Sequence, residues 1–508
     1  MPALVQKLKS LNTPHQQALR AYRSWVTSLP IDRSVILLEQ QSGMTLDGNV
    51  YCILRELLQN ARFAAFSPTF VATQNNVEAF SRELASRGLD VPVLVRGTAD
   101  YMRALATSGV LITDNCLPPY FVKREGQTLV NTWHGIPLKT LGRAEITDAV
   151  NTGNVQRNFA ISDFLLMPNG TMEERMVRDY MLAGISSATI LPLGYPRNEA
   201  FLRAGQHAPG QRRYAWLPTF RGVGEQRGEG DATMPQLLAQ VDALLGDDEV
   251  LYLKLHLVER SQLDLDAFAH IRPAPTDVEL YDFLATCDAL VTDYSSVMYD
   301  FPLSGRKVVL FPYDEEQYLA ERGLYEPLSS LPFPRVTNAK ELVNELRSPA
   351  AYDNQGFMDA CWPYPTLGST ETLCERLLLG GTPLPGEHMV AQLEKPMVLV
   401  YSELGCDLDA LCNELVALCD SFSPRLAFPW KKGRGHEAFL YGLPEQVSYT
   451  PLKGELLSTL GEKALLKCGK ASSVMGLDRR RTFGDAHFDR VIIHDGSDRR
   501  WLSLMHVL

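Results

Sequence analysis

The sequence predicts an α/β protein: two tandem doubly wound, Rossmann-like domains facing a cleft, with a further α/β unit behind them. Three observations predict it. From Ser34 onward, short continuous apolar runs alternate with helix-patterned stretches, the pattern of a parallel sheet covered on both faces. The alternation breaks at Leu191-Pro192-Leu193-Gly194-Tyr195-Pro196-Arg197-Asn198 and at Gly380-Gly381-Thr382-Pro383-Leu384-Pro385-Gly386, and restarts after each break. Polar clusters stand at strand ends in both of the first two series, where open α/β sheets hold ligands.

Taken in order, residues 34–39 form an apolar strand ending in the polar loop 40–48, and a helix follows through Leu58. Residues 91–95 and 110–113 read as buried strands with a helix over 98–108 between them. Strand 128–132 leads into a histidine turn. Strand 164–167 precedes a helix over 172–182, for which Thr171 is the expected cap. The second series has strands at 213–217, 250–255, 289–292 and 307–311, with helices at 234–245 and 278–286. A helix over 371–379 closes it. The third opens with strand 397–401, helix 407–418 and strand 425–428, and reaches a strand at 489–494. The last residues, Trp501 to Leu508, are an apolar helix-like run that needs a surface to bury against. The expected domains are 32–190, 191–380 and 396–508, with a linker over 381–395.

The chain has 508 residues, too many for one core. With 45% hydrophobic and 21% charged residues it reads as a soluble globular protein. No apolar run is long enough to cross a bilayer, and no secretory signal is visible. Nine scattered cysteines without zinc or redox spacing point to a reducing, cytoplasmic compartment. The net charge of −11 argues against nucleic acid as a partner. Residues 1–31 stand apart: Lys7, Lys9, Arg20 and Arg23 occur with no acidic residue, and Asp32 is the first. Leu4, Val5, Leu8 and Leu11, then Leu19, Tyr22, Trp25, Val26 and Leu29, make an apolar stripe. Such a helix either lies on an anionic membrane surface or packs on the next domain.

Four clusters carry chemistry. Trp133-His134-Gly135 follows a strand; the glycine opens the turn to a ligand, and the histidine can exchange protons near neutrality. A packed histidine beside a core tryptophan is the plain alternative. Leu217-Pro218-Thr219-Phe220-Arg221 ends a strand in a turn bearing an arginine, whose planar fork suits phosphate. Lys254-Leu255-His256 puts two polar residues on one face of a strand end, which calls for a polar destination. Thr292-Asp293-Tyr294-Ser295-Ser296 precedes the helical run Val297 to Phe301. There backbone N–H groups, a helix dipole and two hydroxyls converge as an anion site. A plain helix cap is the alternative.

These blocks, in this order, resemble the CDP-glycerol glycerophosphotransferase family, the teichoic-acid glycerol-phosphate polymerases and primases. Trp133-His134-Gly135-Ile136-Pro137-Leu138-Lys139, Gly194-Tyr195-Pro196-Arg197-Asn198, Pro218-Thr219-Phe220-Arg221, Lys254-Leu255-His256, Thr292-Asp293-Tyr294-Ser295-Ser296 and Phe311-Pro312-Tyr313-Asp314 all take part. The resemblance covers roughly 34–379. Two positions depart from the family pattern: Phe220 stands where tryptophan is usual, and Leu257 where proline is usual. The second leaves the setting of His256 in question.

The resemblance implies a GT-B-like fold, with the first lobe on the acceptor side and the second binding CDP-polyol. It implies transfer of a polyol phosphate, glycerol phosphate first, from CDP-glycerol or CDP-ribitol to an acceptor hydroxyl. The acceptor is lipid-linked or polymeric, CMP is released, and the product is a teichoic-acid-like or capsular polymer. His134 is then the general base, and His256 steadies the diphosphate or the leaving CMP. Gly135, Lys139, Arg197, Thr219, Arg221, Lys254, Thr292, Asp293, Ser295 and Ser296 form the substrate site. No cofactor or metal is expected, since no acidic cluster has metal-site spacing and basic groups serve phosphoryl transfer. The implied location is cytoplasmic, peripheral on the inner face of the membrane. The competing readings are a nucleotide-sugar glycosyltransferase on the same fold and an inactive scaffold of envelope-polymer assembly. Residues 396–508 resemble the opening part of a GT-B glycosyltransferase lobe, an incomplete module from which no independent sugar transfer is expected. A complete small α/β accessory domain is the alternative.

Overall fold

The computed structural model describes residues 13–145, 152–203, 210–219, 234–254, 263–349, 353–364, 366–405, 407–430, 436–454, 462, 465, 468 and 472–508. The chain forms two compact units. The first gathers Met1–Trp133, Leu141–Pro192 and Gly380–Leu508; the second gathers His134–Thr140 and Leu193–Leu379.

The first unit holds strands β1 (Asp32–Glu39), β2 (Ser67–Ala72), β3 (Val93–Val95), β4 (Ser108–Thr113), β5 (Thr128–Asn131), β6 (Phe164–Leu166) and β7 (Thr189–Leu191). They pair in parallel in the order β7-β6-β5-β4-β1-β2-β3. All six residues of β4 are buried, as expected of a central strand covered on both faces. β2 escaped the sequence reading because Pro68 stands at its second position, and proline argues against a strand. The helix Gly170–Asp179 starts earlier than expected. Its cap is Asn169, whose side chain accepts from the Met172 N–H at 2.7 Å, and Thr171 lies inside the helix.

The helix Pro14–Ser28 uses its apolar face within this unit. Tyr22 and Val26 join a core with Tyr101, Leu105 and Phe121, and the Tyr22 hydroxyl accepts from the Val122 N–H at 2.9 Å. Over these residues the stripe packs on protein. Residues 1–12, with Lys7 and Lys9, lie outside the described residues. Among the described residues, no helix is long and apolar enough to cross a membrane.

The stretch expected as a linker contributes β13 (His388–Met389), which pairs antiparallel with β7. Beyond it, β14 (Met397–Tyr401), β15 (Ser423–Pro429), β16 (Ser448–Leu452) and β17 (Arg490–Ile493) form a parallel sheet in the order β16-β15-β14-β17. This sheet packs into the first unit. Gln156 donates to the Tyr180 and Tyr449 carbonyls at 2.9 and 2.8 Å. Buried Arg157 donates to the Phe121, Pro118 and Arg481 carbonyls, and buried Arg425 to the Met181 carbonyl. Burial, then the neighbouring Arg481, pulls the Arg157 guanidinium down to about 9. The terminal helix Arg499–Met505 buries Trp501, Leu504 and Met505 against Leu399 and Tyr401, which answers the need for a surface.

The second unit is built on β8 (Arg212–Leu217), β9 (Glu249–Leu253), β10 (Ile271–Pro273), β11 (Ala289–Thr292) and β12 (Lys307–Leu310). All pair in parallel, in the order β10-β9-β8-β11-β12. Trp216, Leu253, Val291, Phe311 and Leu342 share its core. The chain builds outward from β8 to β10, then crosses back to lay β11 on the other side of β8. That reversal puts the switch point of the strand order at β8 and β11, whose carboxyl ends are the usual place for a ligand in such a sheet.

Candidate functional site

The segment His134–Thr140 belongs to the second unit, although it follows a strand of the first. Lys139 makes a bridge to Leu324, the Thr140 N–H donates to the Gly323 carbonyl at 3.0 Å, and the Tyr325 N–H donates to the Leu138 carbonyl at 2.8 Å. The Lys139 ammonium lies 5.7 Å from the centroid of Tyr318, which stacks on Tyr294 at 3.7 Å. Lys139 therefore helps to hold the histidine turn on the second unit.

Gly135 decides the geometry. Its φ is +149°, and a Cβ there would lie 2.3 Å from Ser296 Oγ, 2.8 Å from Ser296 Cβ and 3.4 Å from Arg197 Nη2. Only glycine allows the turn to approach so closely. Four expected site residues thus meet: the half-buried His134 with Gly135, Arg197, and the half-buried Ser296. The hydroxyls of Ser295 and Ser296 have no hydrogen-bond partner among the described residues.

Arg197 was expected to bind substrate; the structure gives it protein partners. It is 4% exposed. One nitrogen donates to the His134 carbonyl at 2.9 Å, and another pairs with Asp300 at 2.7 Å. The guanidinium carbon lies 4.9 Å from the Tyr195 ring centroid and 4.8 Å from that of Tyr281. Burial works against its charge, but Asp300, helped by Tyr281 and Tyr195, outweighs burial and holds its pKa above the ordinary value. Asp300 also accepts from Asn198 at 3.1 Å and from the Tyr281 hydroxyl at 3.0 Å. Burial keeps that hydroxyl protonated, raising it well above its ordinary value. The turn that delivers Arg197 and Asn198 needs Gly194, where a Cβ would sit 2.2 Å from Thr366 Oγ1.

The strand-end residues divide by task. Thr292 donates through Oγ1 to the Leu217 carbonyl at 2.8 Å, and Asp293 accepts from the Thr219 and Tyr294 N–H groups at 2.8 and 2.6 Å. Both are fully buried and join the ends of β8 and β11. Lys254 follows β9, half-buried, with its N–H on the Trp216 carbonyl at 3.0 Å. Arg221 and His256 lie outside the described residues.

The expected helix after the serines is shorter than its pattern suggested. It spans only Val297–Asp300 before a 3-10 turn at Phe301–Ser304 containing Pro302, and the Ser296 side chain does not cap it. A single turn carries little dipole, so any anion binding here falls to hydroxyls and nearby cations. Sequence reasoning left Asp300, Tyr281 and Asn198 out of the site. A signal was available: Asp300 is a lone carboxylate in the apolar run Val297-Met298-Tyr299-Asp300-Phe301, and such a charge needs a partner.

A model of the family CDP-Glycerol:Poly(glycerophosphate) glycerophosphotransferase matches residues 21–364. The teichoic acid poly(glycerol phosphate) polymerase of Staphylococcus epidermidis is 29% identical over 282 residues, 50% of this chain and 38% of that protein. The Bacillus subtilis polymerase of the same description is 25% identical over 384 residues, 69% of this chain and 49% of that protein. The teichoic acid glycerol-phosphate primase of Bacillus subtilis is 26% identical over 260 residues, 48% of this chain and 66% of that protein. The chain therefore spans about half or less of the length of these polymerases. A solved structure of the wall teichoic acid polymerase TagF superposes with a TM-score of 0.61 at 22% identity, covering 73% of this chain and 94% of that one. The fold is of that GT-B-like α/β class.

Proposed function

The chain belongs to the CDP-glycerol:poly(glycerophosphate) glycerophosphotransferase family, and on that premise we propose that it transfers glycerol phosphate from CDP-glycerol to an acceptor hydroxyl. The acceptor oxygen attacks the phosphorus bearing the glycerol, the bridging P–O bond breaks, and CMP leaves. His134 takes the acceptor proton. Ser295 and Ser296 donate to the diphosphate, with Lys254, Arg221 and His256 supplying cations around the leaving group. The acceptor is a lipid-linked or polymeric chain, and the product a teichoic-acid-like or capsular polymer. The observation that carries this reading is the contact of Gly135 with Ser296. It brings the backbone of the histidine turn against one of the two serines, which supports a base held near a donor hydroxyl. The test is a donor screen with CDP-glycerol, CDP-ribitol and UDP-sugars, followed by CMP or UDP release. Turnover of a UDP-sugar alone would favour the glycosyltransferase reading; binding of CDP-glycerol without turnover would favour a scaffold.

Three expected results belong to this reading. Ser296→Ala and Arg221→Ala weaken donor affinity more than acceptor affinity, each by about tenfold, the worth of a charge-assisted hydrogen bond. Isothermal titration with CDP-glycerol reads this, and an unchanged affinity in both would remove them from the donor site.

Activity persists in EDTA. The carboxylates beside the serines, Asp293 and Asp300, already accept from protein donors, and the remaining groups are basic or hydroxylic. Loss of activity in EDTA with recovery on adding magnesium would contradict this.

An anionic membrane surface as a partner now falls to residues 1–12, since the stripe from Ala18 to Val26 is buried in protein. Co-sedimentation with anionic vesicles is expected to be salt-sensitive and to fall when residues 1–12 are deleted. Equal binding by the shortened chain would end the proposal.

A further inference from the structure

We propose that Asp300 is a positioning residue for His134, acting through Arg197; the inference rests on the reading of His134 as the base. The carboxylate of Asp300 is fully buried and gathers three donors: Arg197, Asn198 and the Tyr281 hydroxyl. Arg197 cannot turn away, because two tyrosine rings flank its guanidinium. Its other terminal nitrogen holds the His134 carbonyl at 2.9 Å. In the next residue, Gly135 rests on Ser296. Ser296 and Asp300 are four residues apart and bound the same helical turn. One turn of chain therefore reaches the His134-Gly135 segment twice, directly through Ser296 and by way of Arg197 through Asp300. It sets the base and the hydroxyl pair in one frame.

A buried ion pair is a costly way to gain stability, since apolar residues of similar volume commonly do as well. What it supplies is direction. The planar fork fixes where the carbonyl of His134 lies, and so where its imidazole starts. Errors of about an ångström at a reacting group cost on the order of a hundredfold in rate.

The experiment uses the full chain with Asp300→Asn. Because a neutral amide opposite buried Arg197 can disturb folding, Tyr281→Phe serves as a second variant; it removes one donor and leaves the ion pair whole. Turnover of CDP-glycerol is measured together with the two-bond proton–nitrogen spectrum of the imidazole rings. In Asp300→Asn, kcat falls by about tenfold to a hundredfold while KM for CDP-glycerol stays within about twofold. Tyr281→Phe shows a smaller fall of about twofold to tenfold. His134→Ala combined with Asp300→Asn is no slower than His134→Ala alone, because the two act as one unit. The His134 ring signals, assigned by their loss in His134→Ala, move in both variants while the other histidine signals stay.

An unmoved His134 signal, or losses that multiply in the double variant, would overturn the proposal. Displacement of every histidine signal in both variants would make Asp300 a general fold residue and overturn it equally. A parent chain that releases no CMP would count against the proposed reaction, and the ring signals would still decide the positioning.

Discussion

His134→Ala is expected to lower glycerol phosphate transfer by at least about a hundredfold while leaving CDP-glycerol binding nearly intact. The geometry makes this a clean substitution. What Arg197 grips is the backbone carbonyl of His134, which alanine retains. The neighbouring Gly135 contact with Ser296 also survives, because it involves no atom of the imidazole. The ring is half-buried, so its removal leaves no deep cavity. Single-turnover CMP release, with calorimetric donor binding as the control, reads the effect. Near-normal transfer would remove His134 from the chemistry; loss of donor binding in step with transfer would make it a binding residue.

Gly135→Ala is expected to damage both folding of the turn and catalysis. The added methyl group would meet Ser296 Oγ at 2.3 Å and Ser296 Cβ at 2.8 Å, on a backbone whose φ of +149° L-residues rarely adopt. The serine hydroxyl can rotate away, but its Cβ is tied to the chain. The turn must therefore separate from the residues before Val297. The strain is about 1–3 kcal/mol, and the displacement of base from hydroxyls is expected to lower kcat by about a hundredfold. A second substitution separates the two effects. Ser296→Gly added to Gly135→Ala removes the obstructing atoms, so thermal stability is expected to return in part while activity stays low. Full activity in Gly135→Ala would mean that the close approach does not matter to the reaction.

Much of this architecture is legible in local sequence. The buried strands at 110–113, 289–292 and 397–401 announce themselves as continuous apolar runs, and each is an interior strand of its sheet. Other elements hide for local reasons. Pro68 disguises β2, and β10 ends in Pro273 after the exposed Arg272, which interrupts any apolar run. Motif reading named His134, Gly135, Arg197 and Ser296, which meet within the second unit. It did not name their protein partners. Arg197 was named for the substrate site through the family resemblance, as part of Gly194-Tyr195-Pro196-Arg197-Asn198. In three dimensions it is buried against a carboxylate 103 positions later. Thr292 and Asp293, named for the same site, join two strand ends.

By itself the sequence determined the α/β class, the strand ends that bear polar residues, and the family. Each of these depends on neighbours within a few positions, through apolar periodicity, turn chemistry and motif spacing. Tertiary structure alone decided that the histidine turn leaves the sheet it follows and joins the second unit. It alone decided that Gly380–Leu508 completes the first unit, and that Asp300 stands behind Arg197. The physical reason is common to all three. A buried charge, an unpaired backbone group or an apolar face specifies only that a partner must exist. Which partner it meets is settled by packing among segments far apart in the chain.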